Sequence, residues 1–245
     1  FERILVVVLE NQDYSAVMDD TYMGTVLPSK GLLMTSYRGI THPSQPNYIS
    51  LIGGATLGVW NDNNFDLSSS SIVDLFEAGG VSWKSYQESY PGGCLKGDSA
   101  DGLYHRKHNP FISFKTVQND ASLCAKIVNA DELAQDAQTG SLPQFSFYTP
   151  NMNNDGHDTS LAFASNWLQG FLEPKLTDPA YASTVFFITW DENSGVIPGI
   201  GSRQVWGLLA GQPIASVAGT KDDNHYNHYS LLRTVELNWN LQSVG

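Results

Sequence analysis

Carboxylate side chains directly follow two apolar segments of this sequence. Glu10 comes after residues 4–9 (ILVVVL), and Asp191 and Glu192 come after residues 185–190 (VFFITW). If both segments are parallel strands of one sheet, the three carboxylates meet at its carboxyl edge, where open α/β sheets bind ligands. Grouped carboxylates repel one another, and one divalent cation (Zn, Mg, Ca or Mn) would offset their charge. The alternative is that Asp191 and Glu192 only close a strand-to-loop turn in water.

A serine lies in a rigid segment that precedes a predicted helix. Residues 41–48 (THPSQPNY) contain two prolines, and residues 48–52 are apolar enough to begin a helix. Ser44 is therefore expected at or just before a helix N-terminus, where backbone N–H groups and the helix dipole favour negative charge. A hydroxyl bound to a divalent cation ionises readily and becomes a nucleophile. A serine at this place is also a common N-cap without chemistry, so both interpretations are open.

The histidines of the chain lie in polar junctions rather than in apolar segments. They are His42, His105, His108, His157, His225 and His228. His157 stands beside Asp158 in residues 154–158 (NDGHD), which follow a predicted strand. Imidazoles in such places donate hydrogen bonds to phosphate oxygens or protonate a leaving group. A single histidine is usually a hydrogen-bonded structural residue, so the grouping carries this argument.

The elements that position these residues alternate between strands and helices. Continuous apolar runs predict strands over residues 4–9, 81–86, 144–148, 185–190 and 205–210. Apolar periodicity and capping signals predict helices over residues 71–78, 120–138 (one helix or two), 161–172 with Pro174 just beyond, and 229–236. This alternation predicts an α/β fold with a mostly parallel central sheet and helices on both faces, forming a single domain over residues 1–245.

Composition excludes several classes of protein. Hydrophobic residues make up 41% of the 245 residues and charged residues 16%, which argues against a disordered chain. A formal net charge of -12 argues against a nucleic-acid partner and against stable association with an anionic membrane. The lysine-poor composition is common in secreted enzymes. Because Phe1 lies just before an apolar strand, we expect a mature or trimmed secreted form.

The chain has two cysteines, Cys94 and Cys124. An even number in an acidic, lysine-poor chain predicts one disulfide formed in an oxidising compartment. The alternative is two free buried thiols.

Six short segments occur in an order and at spacings that resemble a known family. They are residues 10–14 (ENQDY), 41–48 (THPSQPNY), 108–111 (HNPF), 150–158 (PNMNNDGHD), 190–193 (WDEN) and 228–230 (HYS). From about residue 4 to residue 240, the sequence resembles the phosphoesterase family of acid phosphatases and non-specific phospholipases C, in the alkaline phosphatase superfamily. The second, fourth and sixth segments most resemble the secreted fungal acid phosphatases of that family.

The resemblance implies an alkaline-phosphatase-like fold and a metal-dependent acid phosphatase that hydrolyses small phosphomonoesters through a phospho-serine intermediate. By position, it implies that one divalent cation is held by Glu10, Asn11, Ser44, Asp191 and Glu192. The catalytic residues that it implies are Ser44, His157 and His228. The substrate-binding residues expected beside them are Asn47, His108, Asn109 and Asp158.

One segment departs from the family pattern. Bacterial members usually carry a basic residue directly after the Glu-Asn pair, whereas this chain has Gln12 and Asp13 there. We expect this change to remove a cation from the neighbourhood of the site and to alter substrate preference.

The residues leave two other functions open. A phosphodiesterase or phospholipase C could use the same site, and a lipid substrate would need an apolar entrance, for which Trp60, Trp83 and Phe111 are candidates. Core packing is the alternative for each of these aromatic side chains. A secreted protein without catalysis that binds metal or phosphate is the other function, and the presence of Ser44 argues against it.

Overall fold

An eight-stranded sheet forms the centre of the computed structural model, which describes residues 1–195 and 203–244. The strands are β1 (Arg3–Leu9), β2 (Gly31–Met34), β3 (Tyr37–Arg38), β4 (Trp83–Gln87), β5 (Ile127–Asn129), β6 (Phe145–Thr149), β7 (Thr184–Trp190), β8 (Gly207–Ala210), β9 (Thr220–Asp222) and β10 (Tyr226–Asn227). The sheet order is β5-β4-β6-β1-β7-β8-β2-β9, and β3 pairs with β10 separately. Neighbouring strands are parallel except at β8, which runs antiparallel to both β7 and β2. The predicted mostly parallel sheet is confirmed.

The two central strands explain why their sequences are continuously apolar. All seven residues of β7 are buried, and in β1 the burial runs from Ile4 to Leu9. Because successive side chains of a strand point to opposite faces, burial of every residue means that both faces of the sheet are covered.

Eight α-helices accompany the sheet in the described residues. They are α1 (Tyr14–Asp19), α2 (Ser44–Gly53), α3 (Ile72–Gly79), α4 (Lys115–Gln118), α5 (Ala121–Cys124), α6 (Glu132–Thr139), α7 (Leu161–Thr177) and α8 (His228–Asn238). Helix α3 begins with a reciprocal capping box between Ser71 and Asp74. Every residue of α2 is buried, as expected of a helix surrounded by protein.

Three predicted regions differ in part from those observed. Residues 120–138 form two helices, which was one of the two predicted possibilities, but the unpredicted strand β5 separates α5 from α6 and pairs with β4 at the sheet edge. Helix α7 continues past Pro174 to Thr177, since a proline in the last turn removes only one backbone hydrogen bond. The strand predicted from residue 205 begins at Gly207, because the Val205 N–H donates to the Tyr37 carbonyl outside the sheet.

Cys94 and Cys124 form a disulfide, with their Cα atoms 5.8 Å apart, as predicted. The bond joins the loop after β4 to the end of α5. Among the described residues, no helix combines the length and the apolar character needed to cross a bilayer.

Candidate active site

The carboxyl edge of β1 and β7 brings three carboxylates together. The two strands are parallel neighbours with Leu9 opposite Trp190, so the next residue of each strand reaches the same place. These residues are Glu10 and Asp191, both 0% exposed. Glu192 follows and is 5% exposed. The predicted meeting of acids at one sheet edge therefore takes place in the interior of the protein.

Ser44 is the first residue of α2 and points into this carboxylate group. Its Oγ donates to Glu10 Oε2 at 2.8 Å and lies 3.4 Å from Glu192 Oε1. Pro43 occupies the N-cap position, and no side chain of the helix start caps its own turn. Instead, the Gln45 N–H donates to the carboxylate of Asp62 at 3.0 Å. The Ser44 hydroxyl is therefore directed toward acids rather than toward its own helix.

The three carboxylates differ in pKa: those of Asp191 and Glu192 are raised, and that of Glu10 is lowered. Burial raises the pKa of Asp191 well above its usual value, and the charges of Glu10 and Glu192 raise it further. Burial and the charge of Glu10 likewise raise the pKa of Glu192 to about 8. Burial also acts to raise the pKa of Glu10, but the charge and hydrogen bond of His108 and the charge of Lys107 lower it to about 2. A cation in this place would favour the ionised form of all three acids.

One carboxylate oxygen of this group is suited to an additional ligand. Asp191 Oδ2 is buried without a hydrogen-bond partner, and Glu10 Oε1 has the His108 imidazole beside it, with Nε2 at 3.1 Å. Asn11 lies beside them: its N–H donates to Asp191 Oδ1 at 3.3 Å, and its side chain hydrogen-bonds to Glu192. Within residues 1–195 and 203–244, however, no three His, Cys, Asp or Glu side chains are drawn together as a ready set of ligands. The donors nevertheless fit a hard divalent cation in type.

The predicted site histidines occupy three different environments. His108 is buried, with Nε2 at 3.1 Å from Glu10 Oε1, and its ring stacks on Tyr48 at a centroid distance of 5.2 Å. His228 is buried, and its Nε2 lies 2.6 Å from the backbone carbonyl oxygen of Asp191. His157 is exposed, and its Nδ1 lies 2.6 Å from Asp158 Oδ1.

Two predicted substrate-binding amides make hydrogen bonds within the protein. Asn47 Oδ1 accepts from the N–H groups of Ile40 and Thr41 at 2.8 and 3.0 Å, and its Nδ2 lies 3.3 Å from Glu192 Oε2. These bonds attach the loop before α2 to the helix. Asn109 Nδ2 donates to the Tyr104 hydroxyl at 3.0 Å, which directs this amide toward the core.

The structure adds acidic and basic residues that the sequence analysis did not select. Asp155 is 0% exposed, and its carbonyl accepts from the Glu10 N–H at 3.0 Å. Burial and the charge of Glu10 raise the pKa of Asp155 to about 8. His42 Nδ1 lies 2.7 Å from Glu192 Oε2. Both residues belong to segments that the sequence analysis had recognised, but the sequence does not show that Asp155, rather than Asp158, is the buried acid of residues 154–158.

The aromatic side chains considered for an apolar entrance are divided between core and surface. Trp83 and Phe111 are buried and stack on each other with centroids 5.2 Å apart. Trp60 is 71% exposed.

Comparison with solved structures identifies the fold. A protein in the alkaline phosphatase superfamily from Vibrio parahaemolyticus superposes with a TM-score of 0.65 at 13% sequence identity, covering 97% of this chain and 66% of that one. The predicted alkaline-phosphatase-like fold is confirmed.

Sequence comparison identifies the family. A "Probable acid phosphatase" of Kluyveromyces lactis is 38% identical over 254 residues, covering 100% of this chain and 60% of that relative. An "Acid phosphatase" of Aspergillus niger is also 38% identical, over 253 residues, with the same coverage. This chain thus spans 60% of the length of these two fungal relatives. A profile of the Phosphoesterase family matches residues 19–242, and the chain belongs to that family.

Proposed function

We propose that this chain is a secreted acid phosphatase that hydrolyses small phosphomonoesters with Ser44 as the nucleophile. The observation that carries the proposal is the position of the Ser44 hydroxyl, at the start of α2 and 2.8 Å from Glu10 Oε2. The names of the fungal relatives support the activity. The disulfide supports an oxidising compartment. Trp83 and Phe111 are buried and so do not form an apolar entrance for a lipid diester, whereas Trp60 is 71% exposed.

The proposed site holds one divalent cation. Its ligands would be Glu10, Asn11, Ser44, Asp191 and Glu192, and the unpartnered Asp191 Oδ2 supports this choice. Such a cation lowers the pKa of a bound hydroxyl and offsets the negative charge of the phosphoryl group.

The side chains of the chain itself would perform the remaining work. Glu10 accepts the Ser44 hydrogen and holds Oγ in one direction. As Oγ attacks phosphorus, its proton passes to Glu10, the bond between phosphorus and the leaving alkoxide breaks, and phospho-Ser44 forms. The N-terminus of α2 favours the negative charge of this group. His157 or water donates a proton to the leaving alkoxide. A water molecule then attacks phosphorus and returns a proton to that donor, inorganic phosphate leaves, and Oγ of Ser44 recovers its proton from Glu10. Asp158 and His108 are proposed to orient the substrate, while Asn47 and Asn109 support the site from within the protein.

Ser44→Ala tests the nucleophile. We expect turnover of p-nitrophenyl phosphate to fall by several orders of magnitude, because nucleophilic catalysis divides one difficult step into two. Ser50→Ala is a matched control, since Ser50 is buried in the same helix and its Oγ donates to the Pro46 carbonyl at 2.7 Å. The control should keep its turnover per folded molecule. Near-normal turnover in Ser44→Ala, or a phospho-enzyme on another residue, would refute the proposal.

Metal removal tests the proposed ligands. Dialysis against a chelator should abolish turnover, and Glu192→Gln should weaken metal affinity so that excess metal partly restores its activity. Ser44→Ala should show no such rescue. Undiminished turnover after exhaustive chelation would exclude a metal role.

The pH dependence of turnover tests the assignment as an acid phosphatase. A pH optimum well on the alkaline side of neutral would contradict it.

A further inference from the structure

The carboxylate of Asp62 bridges two hydrogen-bond donors beside Ser44. Its Oδ1 accepts from the backbone N–H of Gln45, the second residue of α2, at 3.0 Å. Its Oδ2 lies 3.3 Å from Lys107 Nζ. An internal anion therefore occupies the helix start directly next to the proposed nucleophile.

Lys107 is a cation that acts on the carboxylate group of the site. Its side chain is 18% exposed. Burial lowers its pKa, but the charges of Glu10, Asp62 and Asp191 outweigh this effect and raise it. Lys107 therefore remains protonated. In related bacterial sequences a basic residue usually follows the Glu-Asn pair, where this chain has Gln12 and Asp13. Lys107 brings a positive charge to the site from a different segment.

A helix N–H and a lysine ammonium are a donor pair suited to phosphoryl oxygens. Backbone N–H groups at a helix start bind phosphate, and a charge-assisted bond from an ammonium strengthens the contact. The Gln45 side chain provides further capacity, because it is 1% exposed and both polar atoms of its amide are without a hydrogen-bond partner. Asp62 Oδ1 contacts the Gln45 N–H, and Asp62 Oδ2 contacts the Lys107 ammonium. Two oxygens of a phosphoryl group could make the same two contacts.

The carboxylate of Asp62 is partly open to solvent. Residues 54–66 contain no helix or strand, and the Asp62 side chain is 32% exposed. An incoming anion can therefore reach this carboxylate from solvent.

We propose that Lys107 and the Gln45 N–H bind the phosphoryl oxygens of the substrate, and that Asp62 is an internal anion which the substrate displaces. The inference rests on the proposed phosphatase function and assigns its phosphate-binding residues. It gives Asp62 the role of a competitor, so that removing its charge strengthens phosphate binding.

The two partners of this ion pair should respond in opposite directions. Binding of inorganic phosphate is measured by calorimetry. Lys107→Met should raise the dissociation constant for phosphate about ten- to hundredfold, because the substitution removes a charge-assisted hydrogen bond. Lys107→Arg keeps the charge and should retain most of the affinity. Asp62→Asn keeps an oxygen for the Gln45 N–H and should bind phosphate about three- to tenfold more tightly, because a like charge is removed.

An ion pair of purely structural importance would behave differently. In that case the two variants would change phosphate affinity in the same direction, or not at all, and either result would overturn the inference. Lys30→Met and Glu173→Gln are matched controls from an exposed ion pair and should leave the affinity unchanged. The ¹⁵N resonance of the Gln45 amide should shift when phosphate is added to the wild-type protein, and an unmoved resonance would also overturn it.

Turnover of p-nitrophenyl phosphate by the wild-type protein separates this inference from the proposed function. Normal turnover with phosphate affinity that does not depend on Lys107 and Asp62 refutes the inference alone. A wild-type protein that neither turns over the ester nor binds phosphate refutes both.

Discussion

At the scale of single residues, His228 is better suited to hold the site than to transfer a proton within it. Its Nε2 lies 2.6 Å from the Asp191 carbonyl, and its Nδ1 lies 3.1 Å from the Tyr37 hydroxyl. Burial lowers the pKa of His228 to about 4, so the ring is neutral at mildly acid pH. In the neutral ring, Nε2–H donates to Asp191 and Nδ1 accepts from Tyr37. We therefore propose His228 as a positioning residue for the backbone that carries Asp191 and Glu192.

His228→Gln tests this role. The amide can replace one of the two hydrogen bonds, so we expect kcat/KM to fall about ten- to hundredfold through misplacement of Asp191. The shape of the pH–kcat/KM profile should stay unchanged, because the group that titrates is elsewhere. His225→Gln is the control, since His225 contacts Ser36 at an exposed position. Loss of one limb of the profile in His228→Gln would instead identify His228 as the general acid.

At the scale of elements, the last turn of α7 carries a partly buried lysine. Lys175 Nζ donates to the Phe171 carbonyl at 2.7 Å and lies 3.8 Å from the centroid of the Phe171 ring. Burial lowers the pKa of Lys175 from 10.5 to about 8, against the opposing charge of Asp178. The folded protein therefore binds this proton less tightly than the unfolded chain does.

The sign of the resulting pH dependence follows from linkage. Below pH 8 the lysine is charged in both states, and its burial lowers the free energy of unfolding. Between pH 8 and 10.5 the unfolded chain holds the extra proton, so this destabilisation disappears as pH rises. Lys175→Met should raise the free energy of unfolding by about 2 kcal/mol at neutral pH, with the gain vanishing toward the upper end of that range.

Urea unfolding at several pH values measures this difference. Lys115→Met is the control, because Lys115 is exposed and contacts only Ser68 among the hydrogen bonds found for its side chain in the described residues. A gain in Lys175→Met that does not depend on pH would show that packing, rather than the proton, is responsible.

At the scale of the whole molecule, the disulfide closes a loop of the chain that contains residues of the candidate site. Cys94 and Cys124 are 30 residues apart, and the enclosed chain includes Lys107 and His108. In the chain-entropy account, closing a loop of this length stabilises the folded state by about 3–4 kcal/mol.

The double variant Cys94→Ser with Cys124→Ser should lose about 3 kcal/mol of unfolding free energy, because its unfolded chain regains loop entropy. Chemical denaturation measures the loss. Titration of the denatured, unreduced wild-type protein should find no free thiol. Two reactive thiols, or an unchanged midpoint in the double variant, would contradict this expectation.

The sequence by itself determined the fold class and the centre of the candidate site. The apolar runs before Glu10 and Asp191 could be recognised as buried parallel strands, and parallel neighbours place their following residues at one edge. Ser44 could be placed at a helix start from two prolines and the apolar residues after them. These features are local, because they depend on strand and helix periodicity within short segments.

Only the tertiary structure decided which further groups surround that centre. The contact of Asp62 with Lys107, the burial of Asp155 and the turning of His228 toward Asp191 each join segments that are distant in the chain. The antiparallel direction of β8 is of the same kind. Residue types and spacing do not specify such contacts. The entropy of closing a loop changes little with its length, so chain length does not fix where a loop lies. Its position is instead set by packing against the assembled core.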